Sequence, residues 1–181
     1  GPGCGDGGRK PLYRRAGGIM TGVLDIIKQI ICEEMEVPKN RVWAYNSNMD
    51  LPTDTGLFIV LHYGMRNPIS NTVKYVETAD GVEEHQSMNV CEEVFISVMS
   101  QNIEARERVH EVQLAFNSTF SRNLQMKEHV HIAILSDVTD ASFLEATSRI
   151  NRFDIKTKVF RSYSKIKSVD YYDKYQIETW T

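Results

Sequence analysis

The sequence lacks the features that would place it in several large classes of protein. No apolar run reaches the roughly 18 residues of a membrane-spanning helix. The three cysteines, Cys4, Cys32 and Cys91, are odd in number and far apart, so we expect neither a disulfide framework nor a zinc knuckle. The net charge is -3, which argues against a chain that binds nucleic acid through an overall positive charge.

Catalytic motifs are also missing. The chain has no GxSxG elbow, no phosphate-binding GxxxxGK loop and no HExxH pair. The glycines at positions 3, 5 and 8 formally match a dinucleotide fingerprint, but that motif requires a strand directly before it. We therefore expect no enzymatic activity, no cofactor and no association with a membrane.

The glycines are concentrated at one end of the chain. Residues 1–19 hold seven of the eleven glycines, and Met20 resembles a natural start. We interpret this Gly-rich leader as an upstream extension or an expression artefact. Residues 20–181 have the size and apolar content of a single domain with its own core.

Two stretches have the periodicity of amphipathic helices. The first, over residues 21–37, carries an apolar stripe formed by Leu24, Ile27, Ile31 and Met35. The second, over residues 100–125, has Asn102 as a candidate cap, and its stripe is formed by Val109, Val112, Phe116 and Phe120. A shorter helical turn is predicted within residues 137–149.

Strands are predicted between and after these helices, over residues 41–46, 55–63, 71–78, 84–99, 130–135, 151–163 and 171–179. Turns are expected at RNPISN, residues 66–71, and at ADG, residues 79–81. Consecutive strands joined by short turns pair antiparallel. The sequence therefore predicts an α+β fold, in which a largely antiparallel β-sheet packs against two amphipathic helices.

Charge is distributed unevenly along the chain. Residues 77–111 contain nine acidic and two basic residues, whereas residues 149–174 contain eight basic and three acidic residues. Opposite charges of this kind suit a head-to-tail contact between identical subunits. The candidate contact residues, with two tyrosines that could anchor an interface, are Glu83, Glu84, Glu92, Glu93, Arg152, Lys156, Lys158, Arg161, Lys165, Lys167, Tyr171 and Tyr172.

The basic segment alternates as a strand does. Its core face is predicted to hold Phe153, Ile155, Thr157 and Val159. The opposite face is predicted to hold Arg152, Asp154, Lys156 and Lys158. Such a face can meet a neighbouring subunit or line a lumen that carries DNA. Aromatic residues are not interleaved on it, which disfavours single-strand or sequence-specific binding.

Two other functions remain open from the residues alone. His129 and His131 are spaced to share one face of a strand, as in a small metal-binding protein or enzyme. The basic segment could also form an independent DNA-binding module.

Three stretches, residues 92–125, 142–160 and 169–178, resemble the neck and tail-terminator protein family of tailed bacteriophages. The pattern in that family begins with a strand that carries a glutamate and ends in serine, followed by a helix that contains EA, R and EV in this order. Two further motifs follow, first LEG with LNRF and then YYD with a phenylalanine after it. The matching positions are Glu93, Ser100, Glu104-Ala105, Arg108, Glu111-Val112, Leu144-Glu145, Asn151-Arg152-Phe153 and Tyr171-Tyr172-Asp173. The departures are Ala146 for glycine, Ile150 for leucine and Tyr175 for phenylalanine.

This resemblance implies a non-enzymatic structural protein of the virion neck or tail, assembled in the cytoplasm of the bacterial host. Copies would form a ring, commonly a hexamer, between the head connector on the portal side and the tail tube. The ring would terminate the tube and join tail to head, and packaged DNA would pass through it without sequence recognition. The fold expected from the resemblance, an α+β sheet packed on helices, agrees with the predicted order of elements.

Overall fold

The structure is a computed structural model that describes residues 22–44, 52–79, 81–134, 137–145 and 148–169. Within these ranges the helices are α1 (Val23–Glu34), α2 (Glu104–Phe116) and α3 (Thr119–Lys127). The strands are β1 (Val42–Ala44), β2 (Phe58–Thr78), β3 (Gly81–Ser100), β4 (Val130–Ile134), β5 (Thr139–Asp140), β6 (Phe143–Glu145) and β7 (Ser148–Val169). The predicted α+β class is confirmed. The leader at residues 1–19 and the strand predicted over residues 171–179 lie outside the described residues.

The sheet is mostly antiparallel, as predicted, and has the order β1-β2-β3-β7-β4. β1 runs parallel to β2, whereas β2 with β3, β3 with β7 and β4 with β7 are antiparallel. The short strands β5 and β6 also pair with β7. β3 therefore lies between β2 and β7 and hydrogen-bonds to a long strand on each side.

One face of the sheet forms the hydrophobic core with the three helices. On β3 this face presents Val94, Ile96 and Val98, all fully buried. Their partners on β7 are Thr157, Ile155 and Phe153, so the alternation predicted for both strands is confirmed. From α1 the core receives a stripe of buried isoleucines, Ile26, Ile27, Ile30 and Ile31.

The helix predicted over residues 100–125 is two helices, so the sheet packs against three helices instead of two. Ser118 adopts an extended backbone and caps α3, and its Oγ accepts a hydrogen bond from the Ser121 N–H at 3.0 Å. This cap competes with continued helix. The break cannot be seen in the apolar pattern of the sequence, because Phe116 before it and Leu124 after it belong to the same core. Asn102 accepts from the Glu104 N–H at 2.9 Å, as expected of a cap.

The turn predicted at residues 66–71 is also wrong, since β2 continues through it to Thr78. Two β-bulges, between Tyr63 and Arg66 and between Pro68 and Ser70, absorb the irregular residues. The next turn is as predicted, because Thr78 pairs with Gly81, whose φ is 133°. The expected helical turn within residues 137–149 is replaced by β5 and β6.

None of the described helices is long and apolar enough to cross a membrane.

Arg108 joins the end of α1 to α2. Its guanidinium donates to the Met35 carbonyl at 2.6 Å and to the Glu111 carboxylate at 2.8 Å. We expect Arg108→Met to lower the free energy of unfolding by about 1–2 kcal/mol, because the Met35 carbonyl loses its charged donor. Urea unfolding measures this. The control is Arg106→Met, at an exposed position on the same helix, and an equal loss in both variants would contradict the expectation.

Candidate assembly surface

Three strands continue beyond the part of the sheet that the helices cover. We call residues 66–78 of β2, 81–90 of β3 and 161–169 of β7 the arm. None of its described residues belongs to the hydrophobic core cluster. At about 3.3 Å per residue, the β2 side of the arm is roughly 40 Å long. Although Val90 and Arg161 at its base are buried, the arm as a whole lies outside the core that the described residues form.

The β2 strand exposes large apolar side chains both in the arm and in the residues that lead into it. From Tyr63 to Thr78 every residue of β2 is exposed except Ser70, which is half-buried. The exposed apolar residues of this segment are Tyr63, Met65, Ile69, Val73, Tyr75 and Val76. A cluster of this kind on one strand is typical of a surface that meets another protein.

The arm also has open edges. β1 pairs with β2 only at residues 59–61, so in the described structure the outer backbone groups of β2 from residue 66 onward have no strand beside them. Among the described strands, β4 reaches Arg161, which leaves the rest of β7 as the opposite edge. Pro68 and the two bulges protect the base of the β2 edge. The regular stretch at residues 71–78 has no such protection and suits pairing with another strand.

The acidic and basic segments of the sequence turn out to be neighbouring strands. Lys156 Nζ lies 2.9 Å from Glu93 Oε1, and Lys167 Nζ lies 3.0 Å from Glu84 Oε2. The hydrogen bond from Lys167 lowers the pKa of Glu84 below its ordinary value. These charges are therefore already paired within one chain, and complementarity between subunits is not needed to account for them.

The other candidate contact residues are dispersed. Arg152 and Lys158 lie with Lys156 on the face of β7 away from the helices, where Arg152 pairs with Asp154 at 2.9 Å. Glu83 and Lys165 lie on the arm, and Glu83 Oε2 is 3.0 Å from His85 Nε2. Tyr171 and Tyr172 are outside the described residues.

Arg161 does not share the face of Lys156 and Lys158. It pairs in register with Val90, on the side of the sheet that faces the helices, and is only 6% exposed. Glu92 is on the same side, with its Oε1 3.0 Å from Arg66 Nε. The predicted contact residues that the structure describes thus fall into two sets. One set lies along β3 and β7 and includes the two glutamate–lysine pairs, and the other, Glu92 and Arg161, lies at the base of the arm.

Sequence reasoning missed Arg66, Tyr163 and the exposed residues of β2, because RNPISN was predicted to turn. A signal was present in the nearly equal lengths of the segments on either side of ADG, which are 21 and 20 residues. Residues 58–78 and 81–100 both have strand character, and they pair from end to end.

The two histidines considered as metal ligands are both exposed. His129 has a φ of 52° and precedes β4, so it does not share a strand face with His131. In the part of the chain that the structure describes, no three histidine, cysteine, aspartate or glutamate side chains come together as a metal site.

Comparisons with known protein families and with curated proteins found no match for this chain. The resemblance described above therefore remains a prediction.

The Glu93–Lys156 pair gives a pH-dependent prediction. The hydrogen bond from Lys156 lowers the pKa of Glu93 below its ordinary value of 4.5. Because the folded pKa is the lower one, the pair stabilises the fold above pH 4.5 and loses this effect as the pH falls through the folded pKa. We expect Lys156→Gln to be less stable than wild type near neutral pH, with a difference that shrinks in acid.

Urea midpoints measured over a series of pH values test this. Lys74→Gln is the control, since Lys74 is exposed on the arm, and it should match wild type throughout. A difference between Lys156→Gln and wild type that stays constant with pH would refute the role of the pair.

Proposed function

We propose that this chain is a structural virion protein whose copies assemble into a ring at the neck of a tailed phage. The ring terminates the tail tube and joins the tail to the head connector, and DNA passes through its lumen. The order and spacing of the family pattern support this proposal. The α+β fold, with helices on one face of a largely antiparallel sheet, is compatible with it.

The observation that carries the proposal is the arm. A monomer gains nothing from a long three-stranded extension with apolar side chains in water. Ile69, Val73 and Tyr75 are 58%, 48% and 66% exposed. A second copy can bury these side chains and pair with the open β2 edge at the same time.

The two edges of the arm are compatible with a closed ring. One edge is β2 and the other is β7, and the two strands differ in their side chains. Pairing of the β2 edge of one copy with the β7 edge of the next is a heterologous contact, which repeats until the rotation closes. The continuous sheet formed in this way would surround a lumen, and the paired charges of β3 and β7 suit passage of DNA without recognition.

The two alternative functions draw less support from the geometry. An independent DNA-binding module needs uncompensated basic side chains, whereas Lys156 and Lys167 are paired with glutamates. A metal-binding protein or enzyme based on His129 and His131 can be tested by metal analysis of the purified protein, and a stoichiometric bound metal would favour it.

Light scattering and electron microscopy of the purified protein test the ring. We expect a large symmetric species, alone or after addition of tail tube or connector, for wild type. The double variant Val73→Lys with Tyr75→Lys should remain monomeric, because two ammonium groups in a paired arm would be buried without partners.

The matched control is Leu114→Lys with Met126→Lys, since these residues are 65% and 68% exposed on the helices. This control should assemble like wild type. Wild type that stays monomeric at high concentration with each added partner would overturn the ring proposal. Assembly of the Val73→Lys, Tyr75→Lys variant would exclude the arm as the contact.

A further inference from the structure

A pocket that contains charged side chains within a largely apolar lining lies at the base of the arm, where β2, β3 and β7 meet the beginning of α1. Its volume is about 440 Å³, a size that accommodates a side chain with part of its backbone. The lining residues that matter chemically are Gly22, Tyr63, Arg66, Glu92, Arg161 and Tyr163. This pocket adjoins the exposed apolar residues Tyr63 and Met65 of β2, and it is separate from the Glu93–Lys156 and Glu84–Lys167 pairs.

Arg161 is the unusual member of the lining. It is 6% exposed, and its Nε has no hydrogen-bond partner among the described residues. A buried guanidinium without a carboxylate is costly, and arginine at such positions normally binds a planar anion through its fork of N–H groups. The ring of Tyr163, with its centroid 6.0 Å from the Arg161 guanidinium carbon, offers only a weak cation–π contact.

The nearest acid is already engaged. Glu92 Oε1 lies 3.0 Å from Arg66 Nε and accepts from the Tyr163 hydroxyl at 3.4 Å. Among the described residues that line the pocket, two guanidiniums therefore face one carboxylate. One positive charge is left over, and it belongs to Arg161.

The beginning of α1 adds little to this charge. Asp25 lies in the first turn of the helix, and its carboxylate lies within 2.8 Å of the place where a Cβ on Gly22 would stand. This acid offsets the positive end of the helix dipole. The attraction for an anion therefore comes from the arginines.

We propose that this pocket binds one carboxylate, with the Arg161 guanidinium as its main contact. A carboxylate carries the single negative charge that balances the charged side chains of the lining, and its two oxygens match the guanidinium fork. A phosphate dianion would exceed the available positive charge and would face Glu92. The site does not depend on ring formation, since all of its lining residues belong to one chain.

Nuclear magnetic resonance of arginine side chains tests the site with acetate as the probe. The Arg161 Nε–H resonance can be assigned through its own backbone, so the measurement needs no variant. We expect acetate, added at constant ionic strength, to move this resonance in a saturable way, because the Arg161 guanidinium to which the Nε–H belongs gains an anionic neighbour. Chloride should not move it, and phosphate should bind more weakly than acetate.

Two variants separate binding from fold. Arg161→Lys should keep the fold and lose the acetate response at Arg66 and Tyr163, since an ammonium cannot reproduce the fork. Arg122→Lys, at an exposed position on α3, should keep the full response. The proposal fails if acetate causes no saturable shift, if chloride acts equally, or if Arg161→Lys responds like wild type. Tighter binding of phosphate than acetate would also overturn the carboxylate assignment.

Discussion

The pairing of β3 on both of its sides is the constraint on which the rest of the structure depends. Its register with β7 is unbroken from Val82 opposite Val169 to Ser100 opposite Asn151. Side chains alternate between the two faces of the sheet. The same register therefore decides which side chains lie on each face, both under the helices and in the arm. Under the helices it buries Val94 and Ile96, whereas in the arm the same face of β3 carries Glu84 and Gln86 together with apolar residues such as Met88.

The charge pattern of the chain follows from this pairing. Acidic residues on β3 and basic residues on β7 are far apart in sequence and adjacent in the sheet. Cross-strand pairs such as Glu93–Lys156 and Glu84–Lys167 favour the correct register over slipped ones. The separation of acidic and basic residues in the sequence thus serves the pairing of β3 with β7 within one chain. The uncompensated feature of the surface is the apolar β2 strand, which is why the assembly proposal depends on it.

Local periodicity carried the sequence predictions that were confirmed. The stripe of α1 and the alternation of β3 and β7 each depend on neighbours within a few residues. The break at Ser118 and the passage of β2 through Pro68 were missed, because a cap and a bulge interrupt the backbone without interrupting the apolar pattern. Which strands adjoin is decided by contacts distant in sequence. The face of the sheet on which Arg161 lies could be predicted from the sequence. Arg161 is two residues after Val159, and residues two apart on a strand point to the same face.

The pocket at the base of the arm exists because of an irregularity in β2. Before the first bulge Tyr63 pairs with Val94, and continuing that register would place Met65 opposite Glu92. The extra residue places Arg66 there instead, on the side of the sheet where Arg161 lies. Gly64 permits the bulge, because a Cβ at this position would lie 2.6 Å from the ring of Phe95. One added residue thus both bends the strand at the start of the arm and brings a second guanidinium to the pocket. The surface proposed for assembly and the proposed carboxylate site therefore have a common structural origin.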